Sequence, residues 1–124
     1  MVRISPEEFE KLVVDAIEHI PEPFASQLSN VDVVIEDEPT DEDLVSTGLT
    51  PGDTLFGLYQ GIPQTERTAN YSWVMPDKVT IFRGPISRAC DSAEDIREEV
   101  TVTVVHELAH HFGISDERLE ELGW

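Results

Sequence analysis

Residues 106–116 read HELAHHFGISD, and the organisation of the chain follows from this stretch. It holds His106, Glu107 and His110 as H-E-x-x-H, with Gly113 and Asp116 following at x-x-G-x-x-D. Histidines four apart lie one turn apart on one face of an α-helix. Two imidazole nitrogens so placed can reach one metal ion at roughly 2.0–2.1 Å each. Glu107 projects from an adjoining direction, too far round the helix to be a natural third ligand. It can instead reach a water on the metal and act as general base.

A catalytic zinc site needs three protein ligands and one open position. The chain must therefore turn to bring in a third. Gly113 supplies the turn, because glycine takes positive φ without a Cβ penalty just past a helix C-terminus. Asp116 can then swing back beneath the histidine pair. Zinc with two neutral imidazoles and one carboxylate keeps a net charge of about +1, enough Lewis acidity to draw a water's pKa towards ~7. His111 is about 100° round the helix from His110 and cannot easily share the same ion. It reads as a C-terminal histidine facing the negative end of the helix dipole, as does His19.

Working outward, the segment before the motif reads as a long helix. Asp91 or Ser92 can cap it, with Glu94 or Asp95 at the box position. Ile96, Val100, Val104 and Leu108 recur every fourth residue and form its core stripe, with His106 and His110 off the stripe. Ser115 can cap a final short helix carrying Leu119 and Leu122. At the other end Ser5-Pro6-Glu7-Glu8 is a helix start. Phe9, Leu12, Val13, Ala16, Ile17 and Ile20 mark that helix's apolar face until Pro21. Strands are expected at Val31–Ile35, Thr54–Gln60 and Lys78–Arg83. Gly61–Pro76 reads as a long loop.

With 124 residues and no repeat or linker, the chain reads as one domain spanning 1–124. The net charge of −18 argues against nucleic acid or an anionic membrane as partner. Glu36–Asp43, EDEPTDED, puts six carboxylates in eight residues without the EF-hand pattern, and reads as a solvated, mobile loop. No apolar run is long enough to span a bilayer, and the start MVRISPEEFE has no apolar signal region. A single cysteine, Cys90, excludes an internal disulfide and suits a reducing compartment. A cytoplasmic location is the expectation.

The motif on such a helix resembles the zincin metallopeptidases, and more closely a small bacterial family of zincin-like proteins with the H-E-x-x-H-x-x-G-x-x-D signature. LFGLYQGIPQTER (55–67) and PDKVTIFRGPI (76–86) look like that family's strands and intervening loop. The resemblance therefore covers most of the chain from about Thr54; the acidic segment before it looks specific to this protein. It implies an α+β fold, with a small mixed β-sheet packed on an N-terminal helix and a long active-site helix, and a short C-terminal helix. It also implies zinc on His106, His110 and Asp116, with Glu107 as general base. The sheet's edge strand, the second or third candidate, would lie beside the cleft, where an extended peptide can pair with it. Two features depart from the metzincin pattern: Asp116 stands where those enzymes have a third histidine, and Met75 precedes the motif instead of following it. Tyr59, Tyr71 and Arg83 are candidates, by chemistry alone, for steadying an oxyanion.

The expected function is zinc-dependent hydrolysis of peptide bonds in short or unfolded chains. The alternative is a non-catalytic zinc-binding module whose acidic surface recruits a basic protein.

Overall fold

The computed structural model describes residues 3–29, 31–50, 54–61 and 77–124. Helix α1 (Pro6–Glu18) starts as the sequence reads: the Ser5 hydroxyl accepts from the Glu8 amide at 3.2 Å, and Pro6 fills the first helical position. Its apolar face buries Phe9, Val13 and Ala16. A short helix α2 (Phe24–Leu28) follows Pro21 and drives Phe24 into the core.

Strand β1 (Val31–Glu36) leads into the acidic run, which is solvent-exposed but more ordered than its composition suggests. Helix α3 (Asp41–Ser46) begins inside it. Thr40 accepts from the Asp43 amide and the Asp43 carboxylate accepts from the Thr40 amide, each at 3.0 Å, a complete capping box. The expectation of a loop through Asp43 is thereby corrected: Thr40 and Asp43 satisfy each other's amides, and Leu44 is buried. Asp37 and Glu38 are also held, by Arg83 at 2.9 Å and Arg88 at 2.8 Å.

Strands β2 (Gly57–Gln60) and β3 (Asp77–Phe82) complete a mixed sheet in the order β1-β3-β2. The β1–β3 pair is parallel, and β2 runs antiparallel to β3 with Tyr59 opposite Val79. The third strand candidate is thus the centre of the sheet and the second is an edge. Val79 and Ile81 of β3 enter the main core, while Thr80 and Phe82 are buried on the other face. The expected strand end at Arg83 is overtaken by helix α4 (Arg83–Ala89). Gly84 permits this, because a Cβ there would lie 2.8 Å from the Asp37 carbonyl and collide with the Glu38 carboxylate. The loop expected at Gly61–Pro76 falls, beyond Gly61, outside the described residues.

Helix α5 (Ala93–His111) carries the motif. Ser92 caps it by accepting from the Asp95 amide at 3.1 Å. Ile96, Val100, Val104 and Leu108 are all fully buried, joined by Val105 and Ala109. At about 1.5–3 kcal/mol for each large apolar side chain removed from water, this stripe is the principal anchor of the fold. It packs against α1, and Arg97 of α5 pairs with Asp15 of α1 at 2.5 Å. Helix α6 (Asp116–Glu121) closes the chain, burying Leu119.

Among the described residues the arrangement is the α+β fold expected, a three-stranded mixed sheet against an N-terminal helix and a long motif helix. Among the described residues, no helix is long and apolar enough to cross a membrane.

Candidate active site

The end of α5 sets the geometry. Gly113 takes φ +76°, the Ile114 amide donates to the Ala109 carbonyl at 2.8 Å, and the Gly113 amide donates to His110 at 3.3 Å. These two bonds form the Schellman ending that glycine makes possible. Ser115 then caps α6 through the Arg118 amide at 3.1 Å, which puts Asp116 in the first helical position. The backbone thus turns back within five residues of His110. The Asp116 side chain itself lies outside the described residues.

On the last turns of α5, His106 is half-buried and His110 exposed, with ring centroids 6.2 Å apart and planes at 83°. His106 Nε2 is 3.3 Å from the Trp124 main-chain oxygen, so the C-terminal segment borders the site. Trp124 is held there by its amide, which donates to the Leu119 carbonyl at 2.8 Å, and by an edge-on contact with Phe24 at 6.4 Å.

Glu107 is half-buried and faces the sheet. Its Oε1 accepts from the Tyr59 amide of β2 at 3.0 Å. Burial raises its pKa above the ordinary carboxylate value, opposed by the Tyr59 amide and by His110 and His106. Gly57 lets β2 come this close to α5: a Cβ there would lie 2.5 Å from Thr103 Cγ2.

From sequence Tyr59 is an oxyanion candidate only, and Asp77, His111 and Glu99 are not assigned to the site. The Tyr59 hydroxyl donates to Asp77 Oδ2 at 2.7 Å, and its ring stacks on His111 at 3.9 Å and 18°. His111 Nε2 lies 3.7 Å from the same Asp77 oxygen. His111 does sit at the helix C-terminus, as the dipole reading expects, but Tyr59 and Asp77 are its specific neighbours. Glu99, two turns before His106, has its pKa raised by burial and lowered in part by His106 and Thr103. Its i−7 spacing from His106 is the signal that could have found it.

The other oxyanion candidates fare differently. Arg83 pairs with Asp37 at the far end of β3, roughly 20 Å from Asp77 at about 3.3 Å per strand residue. Tyr71 lies outside the described residues.

Among the described residues, no three His, Cys, Asp or Glu side chains converge as a metal-ligating group. Two imidazoles one turn apart, beside a half-buried carboxylate that is turned towards the sheet, nonetheless form a donor set that suits zinc once a third ligand joins them.

A small mixed sheet, a long buried helix bearing H-E-x-x-H, and an edge strand against the Glu of that motif together define a zincin-type domain. The sequence pattern of the zincin-like metallopeptidases matches residues 28–124, and the chain belongs to that family. The match takes in β1 and the acidic run, so that segment lies within the family's span and not ahead of it. Among solved structures the chain is similar to a conserved hypothetical protein from Thermus thermophilus, at 26% identity and TM-score 0.56, over 88% of this chain and 94% of that one. No curated protein matches the chain.

Proposed function

We propose that the protein is a zinc-dependent peptidase in which Glu107 is the general base and His106, His110 and Asp116 hold the metal. The observation that carries this reading is the placement of Glu107: one carboxylate oxygen is fixed on the edge strand, on the same helix turn as two histidines. When bound, zinc would acidify a water and polarise a scissile carbonyl. With Oε1 engaged by the Tyr59 amide, Oε2 is the oxygen left to take the water's proton. Glu107 then delivers that proton to the departing amine. The burial that raises its pKa makes it a better acceptor of the water's proton than an exposed carboxylate. Strand β2, at the sheet edge beside the motif helix, is the element on which an extended peptide would lie.

The test is digestion of a diverse peptide mixture by the zinc-loaded protein, read by mass spectrometry, with Glu107→Gln in parallel. Cuts present in the wild type and lost in the variant are expected. One zinc per chain with no cuts by either protein would overturn the peptidase reading in favour of a zinc-binding interaction module.

A further inference from the structure

Helix α5 grips one residue of β2 twice. Glu107 takes the Tyr59 amide at 3.0 Å, and His111, one turn later on the same helix face, covers the Tyr59 ring at 3.9 Å. The far end of that ring is fixed as well, since its hydroxyl donates to Asp77 Oδ2 at 2.7 Å. Asp77 can do this because of the register. Tyr59 faces Val79 across the ladder, so Asp77, two residues earlier in β3, is its diagonal neighbour on the same face. Asp77 is well shielded, its side chain only 15% exposed, and a hydrogen bond to a shielded carboxylate is among the stronger kinds.

The setting makes such a clamp necessary. Strand β2 has only four residues and, among the described residues, lies at the sheet's edge. Its Tyr59 amide points off the edge away from β3, as alternate amides of an edge strand do, and is taken by Glu107. Short edge strands fray readily. Beyond the ladder contacts of Leu58 and Gln60, the side chain of the same residue steadies the amide, held at its hydroxyl by Asp77 and at its face by His111. Gly61 leaves room for this packing, because a Cβ there would lie 3.2 Å from His111 Cε1.

We propose that Asp77 and His111 are positioning residues: by clamping the Tyr59 ring they fix the amide that holds Glu107 Oε1, and so they set the direction of the carboxylate. The catalytic consequence rests on the peptidase reading above; the clamp itself does not. The second histidine of the H-H pair thereby acquires a role that metal ligation does not give it.

The experiment measures amide exchange at Tyr59 by NMR in the metal-free full-length chain, and kcat and KM for a cleaved peptide in the zinc-loaded chain. The variants are Asp77→Ala and Asp77→Asn, the second of which keeps an oxygen to accept from the tyrosine. Asp77→Ala should speed Tyr59 exchange about tenfold relative to Leu58, the expected consequence of losing one good hydrogen bond. It should lower kcat by a similar factor, with KM and zinc affinity unchanged. Asp77→Asn should restore both most of the way. If Asp77→Ala does not fold, His111→Leu, at an exposed position, carries the same expectations. Unchanged Tyr59 exchange in the alanine and leucine variants would overturn the clamp, and so would equal losses in the alanine and asparagine variants. A wild type that cuts no peptide would overturn the peptidase reading, leaving exchange at Tyr59 to decide the clamp alone.

Discussion

Glu107 is subject to opposing influences. Burial disfavours its charge, while the Tyr59 amide, His110 and His106 favour it, and burial wins. The folded chain therefore holds the Glu107 proton to a higher pH than the unfolded chain does. Between the ordinary carboxylate pKa and the raised value the folded state binds more protons, so stability falls as pH rises through that window. Below the window the penalty is absent; above it, fully present. Glu107→Gln keeps an oxygen for the Tyr59 amide and carries no charge. In metal-free protein at pH 7 the variant should melt higher than the wild type, with the gap closing as pH falls below the ordinary carboxylate range. Calorimetry across pH checks this, and a gap that persists unchanged in acid would mean that charge is not its cause. The proposed metal ligands separate on a different axis. Asp116→Ala and His110→Ala should each weaken zinc binding by at least about a hundredfold, a loss at or above the upper end seen for residues that merely support a ligand. His111→Ala should change it no more than about threefold, because that ring is stacked on Tyr59. Competition against a chromogenic chelator distinguishes the two outcomes.

At the scale of elements, the approach of β2 to α5 is the contact that assembles the site, and Gly57 sits at its tightest point. Its missing Cβ would meet Thr103 Cγ2 at 2.5 Å and the Thr80 carbonyl at 3.2 Å. Gly57→Ala should therefore force the strand off the helix, at about 1–3 kcal/mol, the usual range for overpacking a tight contact. Urea unfolding measures it, and a loss below about 0.5 kcal/mol would show that the strand can shift without strain. Helix α5 was legible in the sequence because its signals agree: Ser92 at the cap, a four-residue apolar stripe, and Gly113 at the end. Strands β1 and β3 were legible from their β-branched runs and β2 from its aromatic and aliphatic residues, with ends displaced by a few residues. The helices α2, α3 and α4 were not. At five to seven residues they are too short to stand on intrinsic propensity and exist through tertiary contacts such as buried Phe24, Leu44 and Ile86. Even so, the Thr40–Asp43 capping box was present in the acidic run and was outweighed there by the density of charge. In the site, the local H-E-x-x-H spacing revealed Glu107 and the histidines. Tyr59 meets Glu107 across 48 residues and Asp77 across 18, where no periodicity operates and only the tertiary fold brings the groups together.

Over the whole molecule, charge is the dominant long-range term. Against 26 acidic residues the chain has 8 Lys and Arg. Four of the arginines are already paired: Arg83 with Asp37, Arg88 with Glu38, Arg97 with Asp15 and Arg118 with Glu121. Partly exposed pairs of this kind contribute about 0–1 kcal/mol each, and salt weakens them. The uncompensated charge of −18 repels itself over the whole surface, and salt relieves that repulsion. The second effect involves many more charges, so it should set the sign. Raising ionic strength from about 0.01 M to about 0.1 M shortens the screening length from about 30 Å to about 10 Å, less than the span of the domain, and Tm should rise by several degrees. A flat or falling Tm in a sodium chloride titration would mean that the ion pairs outweigh the repulsion. On the peptidase reading, substrate capture should respond in the opposite sense. A field of this sign draws cationic peptides to the cleft and repels acidic ones, an effect that acts on association and is lost as salt screens it. Over the same salt range kcat/KM for an Arg- and Lys-rich peptide should fall several-fold, while that for an acidic peptide of equal length should rise. Stability and capture thus move apart under one variable. If kcat/KM for both peptides instead followed the gain in folded protein, the acidic surface would serve solubility alone, and selection among peptides would lie in the cleft.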